Sequence, residues 1–223
     1  MEIKESLMTR ILSGARSIDS SLILQEEPDE EFVVQVGKPT NYSVGIVDIV
    51  NSTKTVARLP QNKSSRYYEI FLNHMAKIVR QYKGEVLKTM GDSLLFYFPD
   101  TSRDNRKFGF LCSIECGLEM ISKHEPLKQL LAHEMLPQID FRISLDFGNV
   151  TTLQNKDWTL DLVGPTINTC AKINSCCPIN GMVLGSDLYE KTKNFREYKF
   201  KEIGNFSADL KHTYPVFSVF RND

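Results

Sequence analysis

EVLKTMGDSLLFYF, residues 85–98, is the stretch that decides the fold. It reads as two short strands joined by a tight Met90-Gly91 turn, with Asp92 at the bend and Lys88 just before it. Val86 and Leu87 lead in, and Leu94 to Phe98 is an apolar, aromatic run too short for a helix. A hairpin with a carboxylate at its tip suits a divalent metal, because rigid strands fix the ligand and the glycine lets phosphate approach the backbone.

A second carboxylate lies upstream. YSVGIVDIV, residues 42–50, is a β-branched, nearly uncharged run that reads as a buried strand, yet it contains Asp48. A charge in such a strand is costly unless it is paired or binds a cation. Asn51, Ser52 and Thr53 follow, suited to cap the next helix, whose free N–H groups favour a phosphate; Thr53 is the phosphate-binding candidate there.

Further out, Ser64 to Tyr82 predicts a long amphipathic helix with Tyr68, Phe71, Leu72, Met75, Ile78 and Val79 inward, and His74 at its surface or packed. Asn105 to Lys123 predicts a second long helix and Pro126 to His133 a shorter one, with His124 and His133 solvated. Ile139 to Asp146 predicts a strand ending in a turn at DFGNV, and Trp158 to Val163 another strand, which carries Asp161. Gly164-Pro165 starts a helix, TINTCAKINSC. A short strand at Met182 to Leu184, a helix capped by Ser186 and running to about Lys193, and strands near Tyr198 to Ile203 and Thr213 to Phe220 complete the order. Strands and helices alternate, but the hairpin forbids a purely parallel sheet. The expected fold is α+β with a ferredoxin-like βαββαβ core: a mixed, mainly antiparallel sheet with helices on one face.

The length of 223 residues suits one domain with an appended segment. Residues 1–38 read as an N-terminal helical segment followed by the acidic linker QEEPDEEF, and residues 39–223 as the globular domain. A net charge of -1 offers no electrostatic case for nucleic acid or an anionic membrane as partner. No apolar run is long enough for a bilayer span, and the first residues lack the apolar core of a signal peptide. The 5 cysteines do not form a disulfide framework or zinc-ribbon spacing. Cys112 and Cys116 share one helix face as small core residues, and the chain is expected to be reduced and cytoplasmic.

In a βαββαβ sheet the first strand lies beside the hairpin, so Asp48 and Asp92 can share one site. Paired carboxylates on adjacent strands are what two magnesium or manganese ions need, since hard cations take oxygen ligands and keep other positions for phosphate.

VDIVNST, KTMGDSLL and DLVGPTINTCAKI, in that order and spacing, resemble the signature set of the class III nucleotidyl cyclases, over roughly residues 40–220. The resemblance implies that Asp48 and Asp92 bind the two metals, with the Ile49 carbonyl as a further ligand. It places Lys88 and Asp161 where adenylyl cyclases read the base, and Asn168 where the ribose and transition state are oriented. Lys172 stands where the family usually has arginine, and Lys211 matches the lysine that holds the terminal phosphates. The resemblance further implies a head-to-tail homodimer in which each site takes its metal residues from one subunit and its base-reading residues from the other.

The base can be argued from chemistry. Lysine only donates and ionised aspartate only accepts. Adenine offers an N1 acceptor beside an N6 amino donor, which Lys88 and Asp161 satisfy. Guanine presents the reverse polarity and would strand a charged group, at a cost of roughly a few kcal/mol. Cytosine repeats adenine's pattern, so only pocket size separates the two. ATP, cyclised to 3′,5′-cyclic AMP with loss of pyrophosphate, is the favoured substrate and CTP the rival. A non-catalytic nucleotide-binding module descended from a cyclase is the alternative from another class; a polymerase-like palm lacks a basic groove. Regulation would come through residues 1–38, alone or as a docking element for a partner, through a partner bound elsewhere, or directly from a small molecule.

Overall fold

The computed structural model describes residues 35–103, 106–154, 160–207 and 213–222. The predicted N-terminal helix, with the linker as far as residue 34, Trp158 and Lys211 lie outside the described residues. The strand β1 spans Gln35–Ile49, so residues 35–38 belong to the sheet. The other strands are β2 (Glu85–Met90), β3 (Ser93–Phe98), β4 (Phe141–Gln154), β5 (Leu160–Val163), β6 (Gly181–Gly185), β7 (Tyr198–Ser207) and β8 (Thr213–Arg221). The helices are α1 (Ser52–Val56), α2 (Gln61–Gln81), α3 (Arg106–Ser122), α4 (His124–His133), α5 (Pro165–Asn174) and α6 (Ser186–Thr192). None of the described helices is long and apolar enough to cross a membrane.

The strands form one sheet in the order β2-β3-β1-β4-β6-β8-β7, with β5 paired to β4. β4 and β6 are parallel and the other pairs antiparallel. The run β2-β3-β1-β4 is the expected ferredoxin-like core. The hairpin turns where expected, at Gly91, whose φ of 66° lies in the left-handed region that glycine enters without strain.

Alternation along the central strands sorts side chains onto two faces. Val47, Ile49, Leu94, Phe96, Phe98, Ile143 and Leu145 pack with Phe71, Met75 and Val79 of α2, Ile114, Cys116 and Met120 of α3, and Leu127 and Leu131 of α4. This is the main core. In α2 the buried tyrosine is Tyr67 rather than Tyr68, which is only partly covered. The opposite face carries Val44, Ile46, Leu95, Tyr97 and Val150, and packs against Cys170 and Ile167 of α5. Helices therefore cover both faces: α2, α3, α4 and Leu188 of α6 lie on the expected side, and α5 is added on the other.

Four local expectations are corrected. DFGNV makes no turn: β4 runs on to Gln154, because the first half of β1 offers it a ladder partner, with Gly148 opposite Tyr42. His124 is not solvated; its Nε2 lies 2.8 Å from the Ile139 carbonyl and its ring meets Phe141 edge-on. Asn51, Ser52 and Thr53 give α1 no side-chain cap; Asn51, at φ 56°, makes the turn with its backbone. Ser186 does not cap α6, whose N-cap is Gly185.

The carboxylate at the start of α6 comes instead from β4. Asp146 accepts from the backbone N–H of Leu188 and Phe147 and from the Tyr214 hydroxyl, which lies 2.9 Å from each carboxylate oxygen. Gly185 makes room, since a Cβ there would collide with the Asp146 carboxylate. Asp146 is 1% exposed, and burial pushes its carboxyl up to about 7 despite these donors. A carboxyl raised on folding favours the folded state at low pH, and that contribution is lost as pH climbs from about 4 through about 7. Asp146→Asn should remove this slope. Its Tm should gain on wild type by on the order of 5–10 °C between pH 4 and pH 8 in thermal denaturation. Parallel Tm curves would show that Asp146 does not titrate in this range.

Candidate active site

β1 ends at Ile49, and Asp48 is its penultimate residue. In register, Asp48 faces Ser93 on β3 and Arg142 on β4. Asp92 directly precedes Ser93 in the hairpin turn, so the two carboxylates meet at one end of the sheet, as expected. The Asp48 carboxyl is pushed up to about 6, by burial first and by the Asp92 charge second, and Arg142 opposes both.

These carboxylates fit a divalent cation. Two half-covered anionic groups raise each other's energy, and a hard cation between them relieves both burial and repulsion. Among the described residues no three His, Cys, Asp or Glu side chains gather to enclose a metal. Protein would thus supply two carboxylates and a backbone carbonyl such as that of Ile49, leaving positions for phosphate oxygens.

Sequence reasoning passed over Arg142. Its Nε is buried with no hydrogen-bond partner, an orphaned donor beside Asp48. A phosphate oxygen would satisfy it. The signal was available: FRISLD is an apolar strand interrupted by a charge, which is the reasoning that singled out Asp48.

The second group of predicted residues lies on β2 and β5. β5 runs antiparallel to the far end of β4, with Asp161 opposite Leu153, and reaches over to β2. Lys88 Nζ lies 2.6 Å from Asp161 Oδ2. Asp161 Oδ1 accepts from the Leu162 N–H at 2.7 Å, which fixes the carboxylate plane. The side chains of Lys88 and Asp161 remain 42% and 36% exposed, so a ligand can reach both.

α5 presents Asn168 and Lys172 outward, four residues apart on one helical face. Its inner side is unusually polar. Cys170 Sγ lies 3.4 Å from Ser144 Oγ, Thr166 donates to the Asn149 carbonyl, and Asn174 reaches toward β1 and β4. Thr53 is exposed on α1, a helix of 5 residues. The structure thus gathers the predicted residues as a carboxylate pair with Arg142, a Lys–Asp pair, and a helix face.

Residues 34–217 match the adenylate and guanylate cyclase catalytic domain. The chain belongs to that family. An adenylate cyclase of Streptomyces coelicolor is 24% identical over 176 residues, covering 78% of this chain and 39% of that protein. A cytidylate cyclase of Staphylococcus aureus is 22% identical over 177 residues, covering 75% and 41%. The chain thus spans about two-fifths of the length of these relatives. Among solved structures, the adenylyl cyclase CyaB from P. aeruginosa superposes with a TM-score of 0.74 at 16% identity, over 85% of this chain and 97% of that one. The guanylate cyclase domain of RhGC from Catenaria anguillulae, in complex with GTP, gives 0.71 at 19% identity, over 84% and 100%. At these identities the structural likeness establishes the cyclase fold. The sheet order is therefore that of a cyclase domain.

Proposed function

We propose that this cyclase domain converts ATP to 3′,5′-cyclic AMP and pyrophosphate at sites shared across a head-to-tail homodimer. The observation that carries the reading is the Lys88–Asp161 pair, a cationic donor held 2.6 Å from an anionic acceptor and open to a ligand. Adenine's N1 and N6 edge matches that polarity and guanine's does not. Cytosine matches it too, and the similarity to a cytidylate cyclase makes CTP the second reading.

In the reaction the ribose 3′-oxygen bonds to the α-phosphorus as the bond to pyrophosphate breaks. Asp48, Asp92 and the Ile49 carbonyl would hold the two Mg²⁺ or Mn²⁺ ions, which supply a more acidic 3′-hydroxyl and charge compensation for the triphosphate. Arg142 satisfies its buried Nε on a phosphate oxygen. Asn168 orients the ribose, and Lys172 places positive charge where the α-phosphate gains negative charge. Lys172 does this without arginine's planar fork, which lowers the geometric demand on the phosphate and the stabilisation alike. Thr53 and Lys211 are the remaining candidates for triphosphate contacts.

Two experiments test the reading. Purified protein with Mn²⁺ or Mg²⁺ is incubated with ATP, GTP, CTP or UTP separately, and the products are identified. Cyclic AMP is expected; cyclic CMP would preserve the polarity argument and change the pocket size, and cyclic GMP or UMP would overturn it. No product from any nucleotide would favour a non-catalytic module. The second experiment mixes Asp92→Asn with Asn168→Ala, each inactive alone. Shared sites predict that a mixed dimer regains one working site, and a mixture that stays inactive would rule out the shared arrangement.

A further inference from the structure

We infer that Asn174 is a positioning residue that ties the helix bearing Asn168 and Lys172 to the strands bearing Asp48 and Arg142, and so couples the two sites of the dimer. The inference rests on the shared-site reading above.

Asn174 closes α5, two residues after Lys172, and is 7% exposed. Its Nδ2 lies 3.4 Å from the Ile46 carbonyl of β1, 3.4 Å from the Arg142 carbonyl of β4 and 3.2 Å from Ser144 Oγ. All three partners can accept, which fixes the amide with its nitrogen toward the sheet. Ile46 stands two residues before Asp48 on the same face, and Arg142 is the register partner of Asp48. One side chain thus spans the two strands that aim the carboxylate and the guanidinium, and it belongs to the helix that presents the other residues.

An apolar side chain would pack a helix on a sheet at less desolvation cost than a buried amide. The amide adds geometry. Two N–H groups shared among three acceptors on two strands hold the C-terminal end of α5 at one distance and rotation, so a shift of either strand is felt by the helix. Cys170, one turn earlier, makes similar contacts with the Val44 carbonyl and Ser144. In a head-to-tail dimer, Asp48 of one chain serves one site while Asn168 and Lys172 of the same chain serve the other. Asn174 then stands between the sites.

The mixed dimer of Asp92→Asn and Asn168→Ala chains isolates a single site and makes this testable. The Asp92→Asn chain supplies Asn168 and Lys172 to that site, and the Asn168→Ala chain supplies Asp48, Asp92 and Arg142. Asn174→Leu, which keeps volume and removes the donors, is placed in one chain or the other. The expected result is a drop in kcat of about tenfold per folded dimer in either placement, with KM for the nucleotide changed by less than about threefold. Circular dichroism and gel filtration count the folded dimers, so a loss of folding alone leaves kcat per dimer unchanged and overturns the inference. An effect in only one placement also overturns it, while leaving the shared site intact. Should Asn174→Leu fail to fold, Asn174→Ser, too short to reach either carbonyl, is read in the same two placements against the same criteria. If the parent mixture is inactive, the shared-site reading falls, and the coupling inference with it.

Discussion

Asp92→Asn should abolish cyclisation, by about a thousandfold or more, while making the metal-free protein more stable at pH 8. The loss follows from the site: with two carboxylates as the side-chain ligands, removing one charge halves the protein's anionic hold on the cations. The gain follows from the electrostatics of Asp48, whose carboxyl is held up near 6 by burial and by Asp92. A raised carboxyl contributes stability below about pH 4 that is lost as pH rises through about 6, so at pH 8 the folded chain bears the full repulsion. Asparagine removes the part due to Asp92. The site is half open, so the gain should be at most about 1 kcal/mol, and should vanish near pH 4. Thermal denaturation in EDTA at the two pH values measures it. Activity above about a tenth of wild type would exclude Asp92 as a ligand, and a variant less stable at pH 8 would exclude the repulsion.

The second large effect concerns the base. Lys88→Ala and Asp161→Ala should each lower kcat/KM for ATP by about a hundredfold, because each leaves the opposite charge beside the base without its partner. The double substitution should cost far less than the product of the two, since the residues act as one recognition unit. Steady-state kinetics on the four proteins closes the cycle. Additive losses would mean that Lys88 and Asp161 do not read the base together, and unchanged discrimination between ATP and GTP would remove them from specificity altogether.

Much of this arrangement was legible in the chain because it depends on local patterns. The hairpin from Glu85 to Phe98 is written in a short apolar run, a glycine and a bend. The strand holding Asp48 shows as β-branched residues around one anomalous charge. Helix α5 shows as Gly-Pro followed by a helical repeat. The paired carboxylates needed only that the first strand lie beside the hairpin, which the βαββαβ order dictates. Elsewhere the local signal misled. Gly148 resembled a turn residue, but the long β1 ladder kept it extended. His124 stood among polar neighbours in sequence, yet the fold brings the Ile139 carbonyl to its ring.

What remained hidden were contacts made by residues far apart in the chain. Asp146 reads as a strand end, and only the approach of Gly185, Leu188 and Tyr214 turns it into a buried cap for α6. Arg142 and Asn174 read as an ordinary charge and a helix-end amide until β1, β4 and α5 are stacked. By itself, the sequence determined the element order and the cyclase family and named most of the residues proposed for the site, because periodicity and motif spacing are properties of neighbouring residues. The tertiary structure alone decided that helices cover both faces, that Arg142 is left with an orphaned donor beside Asp48 and that one asparagine joins β1 and β4 to α5. Burial, charge pairing and hydrogen-bond reach depend on distance in space, which the order of residues along a strand or helix does not contain.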